Sequence, residues 1–176
     1  MKSKTGKREK VVVSIVMGSD SDLPILAEAV KILEGFAIGY ELVLTSAHRT
    51  PERTAVFAKS AAKRGVKVII AGAGAAAHLA GVIAAQTPLP VIGIPIDATS
   101  LRGLDALLST IQMPGGVPVA CMAIGKAGAK NAALFAIRIL ALTDKYINSR
   151  LSAYTRKMAE EVEKKQESLA CRKSLK

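Results

Sequence analysis

The chain has 176 residues, half of them apolar, with aromatics at only 3% and no tryptophan. That length fits one domain with a real core, and no apolar run reaches the about 18 residues needed to span a bilayer. The formal charge of +11 sits mainly at the ends: residues 1–10 and 144–176 carry +4 each, leaving +3 for 11–143. A nucleic-acid binder would gather its charge on the folded face and interleave aromatics, so neither nucleic acid nor membrane is expected as a partner. A mildly basic domain still suits a small anionic substrate.

In chain order, residues 1–10 read as a basic tail. The apolar VVVSIVM that follows is too short for a secretory signal, and Asp20 and Asp22 come directly after it, so a cytoplasmic protein is expected. Five short β-branched runs predict strands at 11–17, 40–45, 66–71, 90–95 and 117–123. They do not alternate, as expected of strands covered on both faces. Helical spacing appears between them at Ala27, Val30 and Leu33, at Val56 and Ala61, and at Leu104, Leu107, Leu108 and Ile111. Pro24 and Pro51 fit the first turns of two helices, with Asp22 and Thr50 as capping candidates.

The pattern predicts an α/β fold: a flavodoxin-like, doubly wound, three-layer sandwich on a five-stranded parallel sheet. That domain spans 11–143, and 144–176 reads as an extra C-terminal helix and charged tail. Ile147, Leu151, Tyr154, Met158 and Val162 form one stripe of that helix, an apolar face suited to a neighbouring subunit. Cys121 and Cys171 form no CxxC pair, so neither a disulfide nor a zinc framework is expected.

Ligands of a parallel sheet bind where the strands' C-terminal ends meet the following loops. After the first strand comes GSDSD, residues 18–22, whose hydroxyls and N–H groups at a helix start make an anion site or serve as simple caps. After the second comes SAHRTP, residues 46–51. One of only two histidines, His48, stands there between Ser46 and Arg49, and the arginine fork matches phosphate oxygens. After the third comes AGAGAAAH, residues 71–78, where small residues let a ligand lie against backbone. Gly72, Gly74 and Ala77 loosely imitate a dinucleotide fingerprint with Asp97, but the unit begins at the third strand and is mostly alanine. Gly125–Lys126 lacks the first Gly and the Ser or Thr of a phosphate-binding P-loop, so ATP binding is unsupported.

Together VMGSDSD (16–22), TSAHRTPER (45–53), VIIAGAGAAAHLAG (68–81), QMPGGVPV (112–119) and AIGKAGAKNAAL (123–134) resemble the PurE family, the N5-carboxyaminoimidazole ribonucleotide mutases of purine biosynthesis. The resemblance implies a homo-octamer and a carboxyl transfer through transient CO₂, with no metal, biotin, ATP or other cofactor. It implies that Ser19, Ser21, Ser46 and Arg49 hold the 5′-phosphate, that Asp22 takes the ribose hydroxyls, and that His48 moves the protons as the catalytic residue. Gly18 and Ala47 belong to the same binding loops, Gly72, Ala73 and Gly74 would flank the aminoimidazole, and His78 would line the pocket. The QMPGGVP loop would close the site from the same or a neighbouring subunit.

The chain departs from the family pattern at Ala75, Ala80, Asp97 and Arg102. A sister branch that carboxylates aminoimidazole ribonucleotide directly with CO₂ typically has Lys in place of Arg49 and lacks His78; this sequence sides with the mutases. The alternatives are that direct carboxylase, a dinucleotide-dependent enzyme, or a non-catalytic nucleotide-binding module.

Overall fold

A computed structural model describes residues 10–173; the basic segment 1–9, the last residues 174–176 and the Cys171 side chain lie outside the described residues. In chain order the elements are β1 (Val13–Met17), a 3₁₀ turn (Asp20–Asp22), α1 (Leu23–Gly35), β2 (Tyr40–Leu44), α2 (Pro51–Ala61), β3 (Val68–Gly74) and α3 (Leu79–Ala84). Then follow β4 (Val91–Ile96), α4 (Leu104–Ile111), β5 (Ala120–Cys121), α5 (Lys126–Ala141) and α6 (Lys145–Lys173).

All strand pairings are parallel, in the order β2-β1-β3-β4-β5. The expected flavodoxin-like, doubly wound sheet is therefore present. Every residue of β1 and β4 is buried, as are the first five of β3, because helices cover both faces and leave no solvated side to alternate with. On one face Phe57, Ala58 and Ala61 of α2 and Leu79 and Ile83 of α3 pack with Val16, Ile69 and Val91. On the other, Leu26 of α1 meets the backbone of Gly72, and Lys130 of α5 pairs with Glu28 of α1 at 3.3 Å. The buried side of α5 includes Ala129, Ala132, Ala133 and Ala136, and Gly128 allows it to press against the Ala123 carbonyl, where any Cβ would collide.

The strand boundaries shift by a residue or two at several ends, and β3 and β5 differ most from expectation. β3 runs three residues further, because Gly72 pairs with both Met17 and Ile94, and Gly74 with Ile96. β5 is only two residues long; Pro118 has no N–H to donate, and β4 is its one neighbour among the described strands.

The chain separates into two compact units, one ending at Ala136 and one beginning at Ile137. In the second, α6 is half-buried at Ile147, Leu151 and Tyr154 and exposed at Met158 and Val162. No described helix is long and apolar enough to cross a membrane.

Candidate active site

The strand order reverses between β1 and β3, and a crevice is expected there, outside the strands' carboxyl ends. Four loops meet at this point. The first leaves β1 at Gly18 and folds at once into a capping box: Ser19 Oγ accepts from Ser21 N–H at 3.4 Å, and Asp22 Oδ2 accepts from Ser19 N–H at 3.3 Å. The Ser19 and Ser21 hydroxyls lie 2.9 Å apart. Asp22, expected to cap α1, makes no bond to that helix; its short side chain is committed backwards to Ser19.

Asp22 is 6% exposed. Burial pushes its carboxyl above the ordinary aspartate value. The Ser19 N–H and the Arg49 charge pull it back, while neighbouring Asp20 adds to the rise.

The second loop begins where Thr45 N–H donates to the Met17 carbonyl at 2.9 Å, carrying the β1–β2 pairing one residue past β2. Residues 46–50 then turn tightly. Arg49 N–H donates to Ser46 Oγ at 3.1 Å, and Arg49 Nη2 reaches across to the Gly18 carbonyl at 2.7 Å. That bond couples the first two loops and leaves the guanidinium further N–H donors for an anion. Thr50, the other expected cap, bonds to Ser46 rather than to its helix.

The third loop leaves β3 through Ala75, an alanine held at φ +54° in the left-handed region. It leads to His78 at the start of α3. His78 Nδ1 lies 2.8 Å from His48 Nε2, with ring centroids 5.0 Å apart and planes at 89°. The fourth loop contributes Ala98, just past β4; a side chain on Gly74 would approach its Cβ to 2.5 Å.

These loops enclose a cavity of about 320 Å³ lined by Gly18, Ser19, Ser21, Asp22, Ser46, Ala47, His48, Arg49, Ala73 and Gly74 among the residues expected from sequence. Its size falls within the range of small-ligand sites. Gly72 is not at its wall. It lies inside β3, where an added Cβ would meet Leu26 Cδ2 at 2.8 Å, so its missing side chain serves sheet–helix packing. His78 also lies outside the lining and touches the cavity through His48.

Sequence reasoning passed over four further lining residues: Ala75, Ala76, Leu79 and Ala98. The first two sit in the flagged AGAGAAAH segment, whereas Leu79 reads as ordinary core and Ala98 carries no chemical signal. The QMPGGVP segment leads into β5, and its Gly116 and Pro118 line a separate cavity beside Pro90 and Val91 at the start of β4. Gly116 and Pro118 thus stand at the amino end of β4, whereas Met113 of the same segment lies against Gly81 of α3.

Fold and site together define a doubly wound α/β protein whose switch-point pocket brings serine hydroxyls and an arginine beside an imidazole. The chain belongs to the AIR carboxylase family, which matches residues 12–161. It is 56% identical over 159 residues to the N5-carboxyaminoimidazole ribonucleotide mutase of Pyrococcus horikoshii, covering 90% of this chain and 89% of that one. It is 52% identical over 157 residues to the Thermotoga maritima mutase, covering 89% and 91%. The phosphoribosylaminoimidazole carboxylase of Saccharomyces cerevisiae is 50% identical over 153 residues, which are 87% of this chain and 26% of the yeast protein. The crystal structure of Treponema denticola PurE superimposes with a TM-score of 0.82 at 31% identity, covering 90% of this chain and 98% of that one.

Proposed function

We propose that this protein is an N5-carboxyaminoimidazole ribonucleotide mutase of purine biosynthesis, with His48 as its acid–base group. The observation that carries the reading is the gathering of His48, Arg49, Ser46 and the Ser19–Asp22 turn around one 320 Å³ cavity. Relatives more than half identical over most of the chain carry that activity in their names.

In this reading Arg49, Ser46, Ser19 and Ser21 hold the 5′-phosphate, and Asp22 accepts from the ribose hydroxyls. The aminoimidazole lies against Ala73 and Gly74, where a single methyl group and bare backbone leave room for CO₂ beside the ring. Protonated His48 gives its proton to the carbamate nitrogen, the N–C bond breaks, and CO₂ and aminoimidazole ribonucleotide form. Ring carbon C4 then attacks the trapped CO₂, and neutral His48 removes the C4 proton to restore aromaticity. Every atom and proton is returned, so the cycle balances without a cofactor. Confinement supplies the effective concentration that free CO₂ lacks. We also read the chain as a cytoplasmic homo-octamer whose α6 stripe meets a second copy; light scattering of the purified protein tests that mass.

The deciding experiment incubates the full chain with N5-carboxyaminoimidazole ribonucleotide and follows the C4-carboxylated product. Product without added bicarbonate is the expected result. The yeast relative's name gives a second reading, direct carboxylation; product from aminoimidazole ribonucleotide and bicarbonate alone, with the carbamate inert, would establish it instead.

A further inference from the structure

Thr50 occupies the N-cap of α2, a place where a hydroxyl ordinarily accepts from the helix's own N–H groups. It makes no such bond. Its Oγ1 turns back instead, accepting from Ser46 N–H at 2.9 Å and donating to the Ser46 carbonyl at 3.1 Å. Thr50 N–H donates to the same carbonyl at 3.0 Å. Three hydrogen bonds between two residues thus close a ring, and the residues inside it are Ala47, His48 and Arg49.

A second tier lies beneath. Thr54 Oγ1 donates to the Thr50 carbonyl at 3.1 Å. Thr45 Oγ1 is 2.9 Å from Thr54 Oγ1 and 3.2 Å from Thr50 Oγ1. Each hydroxyl has a single hydrogen. Those of Thr50 and Thr54 are committed to carbonyls, so Thr45 gives its one hydrogen to a single neighbour, with Thr54 Oγ1 the nearer of the two. Thr45 and Thr54 are 2% and 0% exposed. Breaking one of these bonds would strand a buried polar group, which water cannot reach to compensate. The ladder is itself anchored to the sheet through Thr45 N–H and the Met17 carbonyl.

We infer that Thr50 is a positioning residue for the reaction, and that its hydroxyl fixes the turn presenting His48 and Arg49 to the cavity. The inference rests on the reading of those two residues given under Proposed function. The N-cap hydroxyl thus serves the turn before it and not its own helix.

The test uses the full chain with Thr50→Val, Thr50→Ser and His48→Asn. Valine matches threonine in shape and lacks the hydroxyl; serine restores it. Since the Thr50 side chain bonds no N–H of α2, its replacement leaves the backbone bonds at that helix end in place. The measurements are kcat and KM for N5-carboxyaminoimidazole ribonucleotide, with hydrogen exchange at the Ser46 amide. Thr50→Val should lose about ten- to a hundredfold in kcat/KM, the scale of a small misplacement of reacting groups, and its Ser46 amide should exchange faster. Thr50→Ser should stay within about threefold of the parent. The inference is overturned if Thr50→Val also stays within that range, or if Thr50→Ser is as damaged as Thr50→Val. Inactive His48→Asn beside active Thr50→Val would remove the clamp alone. A His48→Asn that keeps its turnover would remove the reading of the site, and the clamp with it.

Discussion

His48 Nε2 lies 2.8 Å from His78 Nδ1, edge to face, although thirty residues separate them in the chain. One ring must donate and the other accept, so each sets the tautomer of the other. His48 is the ring at the cavity wall and His78 the one behind it. Replacing His48 with Asn keeps hydrogen bonding and similar bulk but cannot carry a proton at neutral pH. General acid–base catalysis by one group is worth about 10²- to 10⁴-fold, so His48→Asn should lose at least about 10² in turnover with ribonucleotide affinity retained. His78→Asn should lose less. A reversed order in steady-state assays would move the acid–base role to His78.

Arg49→Ala should weaken ribonucleotide binding more than it slows the bound reaction. A hydrogen bond to a charged group contributes about 1.5–3 kcal/mol, equivalent to about ten- to a hundredfold in affinity. Loss of the Gly18 tie adds some disorder between the first two loops. Titration calorimetry checks the affinity, and a large fall in saturated turnover with affinity preserved would instead place Arg49 in the chemistry.

Asp22 is a buried carboxylate at the cavity wall. Its carboxyl is pushed up by burial, so the folded state holds the proton more tightly than the unfolded one. The ionised form therefore costs stability above the carboxylate range, and the cost fades as pH falls through it. Asp22→Asn, which can still accept from Ser19 N–H, should melt above the parent at pH 7. The gap should close as pH falls toward about 4. Affinity for the ribonucleotide should drop over the same comparison. A variant that melts lower at pH 7 would contradict this account.

Ala75 holds φ at +54°, a conformation that costs an L-residue about 1–2 kcal/mol. Glycine adopts it freely but loses some of that gain through unfolded-state entropy. Ala75→Gly should therefore stabilise the fold by up to about 1 kcal/mol, seen as a rise of about 2–4 °C in melting temperature. An unchanged or lower melting temperature would show that the loop has relaxed around its alanine.

Much of this architecture was legible one residue at a time. Non-alternating runs such as VVVSIVM announce strands buried on both faces, because only continuous apolarity satisfies two covering helices. GSDSD and SAHRTP carry their hydroxyls and charges at the ends of such runs, where a parallel sheet presents its ligands. The helix α5 gave a weaker signal, since Ala129, Ala132, Ala133 and Ala136 are buried yet alanine scarcely marks a hydrophobic face. The caps were misjudged for a related reason. Asp22 and Thr50 stand at cap positions, but a short polar side chain has several backbone groups within reach, and which one it takes depends on the turn before it.

What the sequence by itself determined was therefore local: the strands, the phosphate-type loops, the single histidine between Ser46 and Arg49, and the family they belong to. What the tertiary structure alone decided was adjacency. Placing β1 between β2 and β3 sets the loops after β1, β2 and β3 side by side, and so joins Arg49 to Gly18 and His48 to His78 across long stretches of chain. The same sheet order put Gly72 against Leu26 instead of the cavity, brought featureless Ala98 to its wall, and left Gly116 and Pro118 at the amino end of β4. Side-chain chemistry along the chain names the groups a site can use, but hydrogen-bonded strand order decides which of them meet, because neighbouring strands lie only about 4.8 Å apart whatever their separation in sequence.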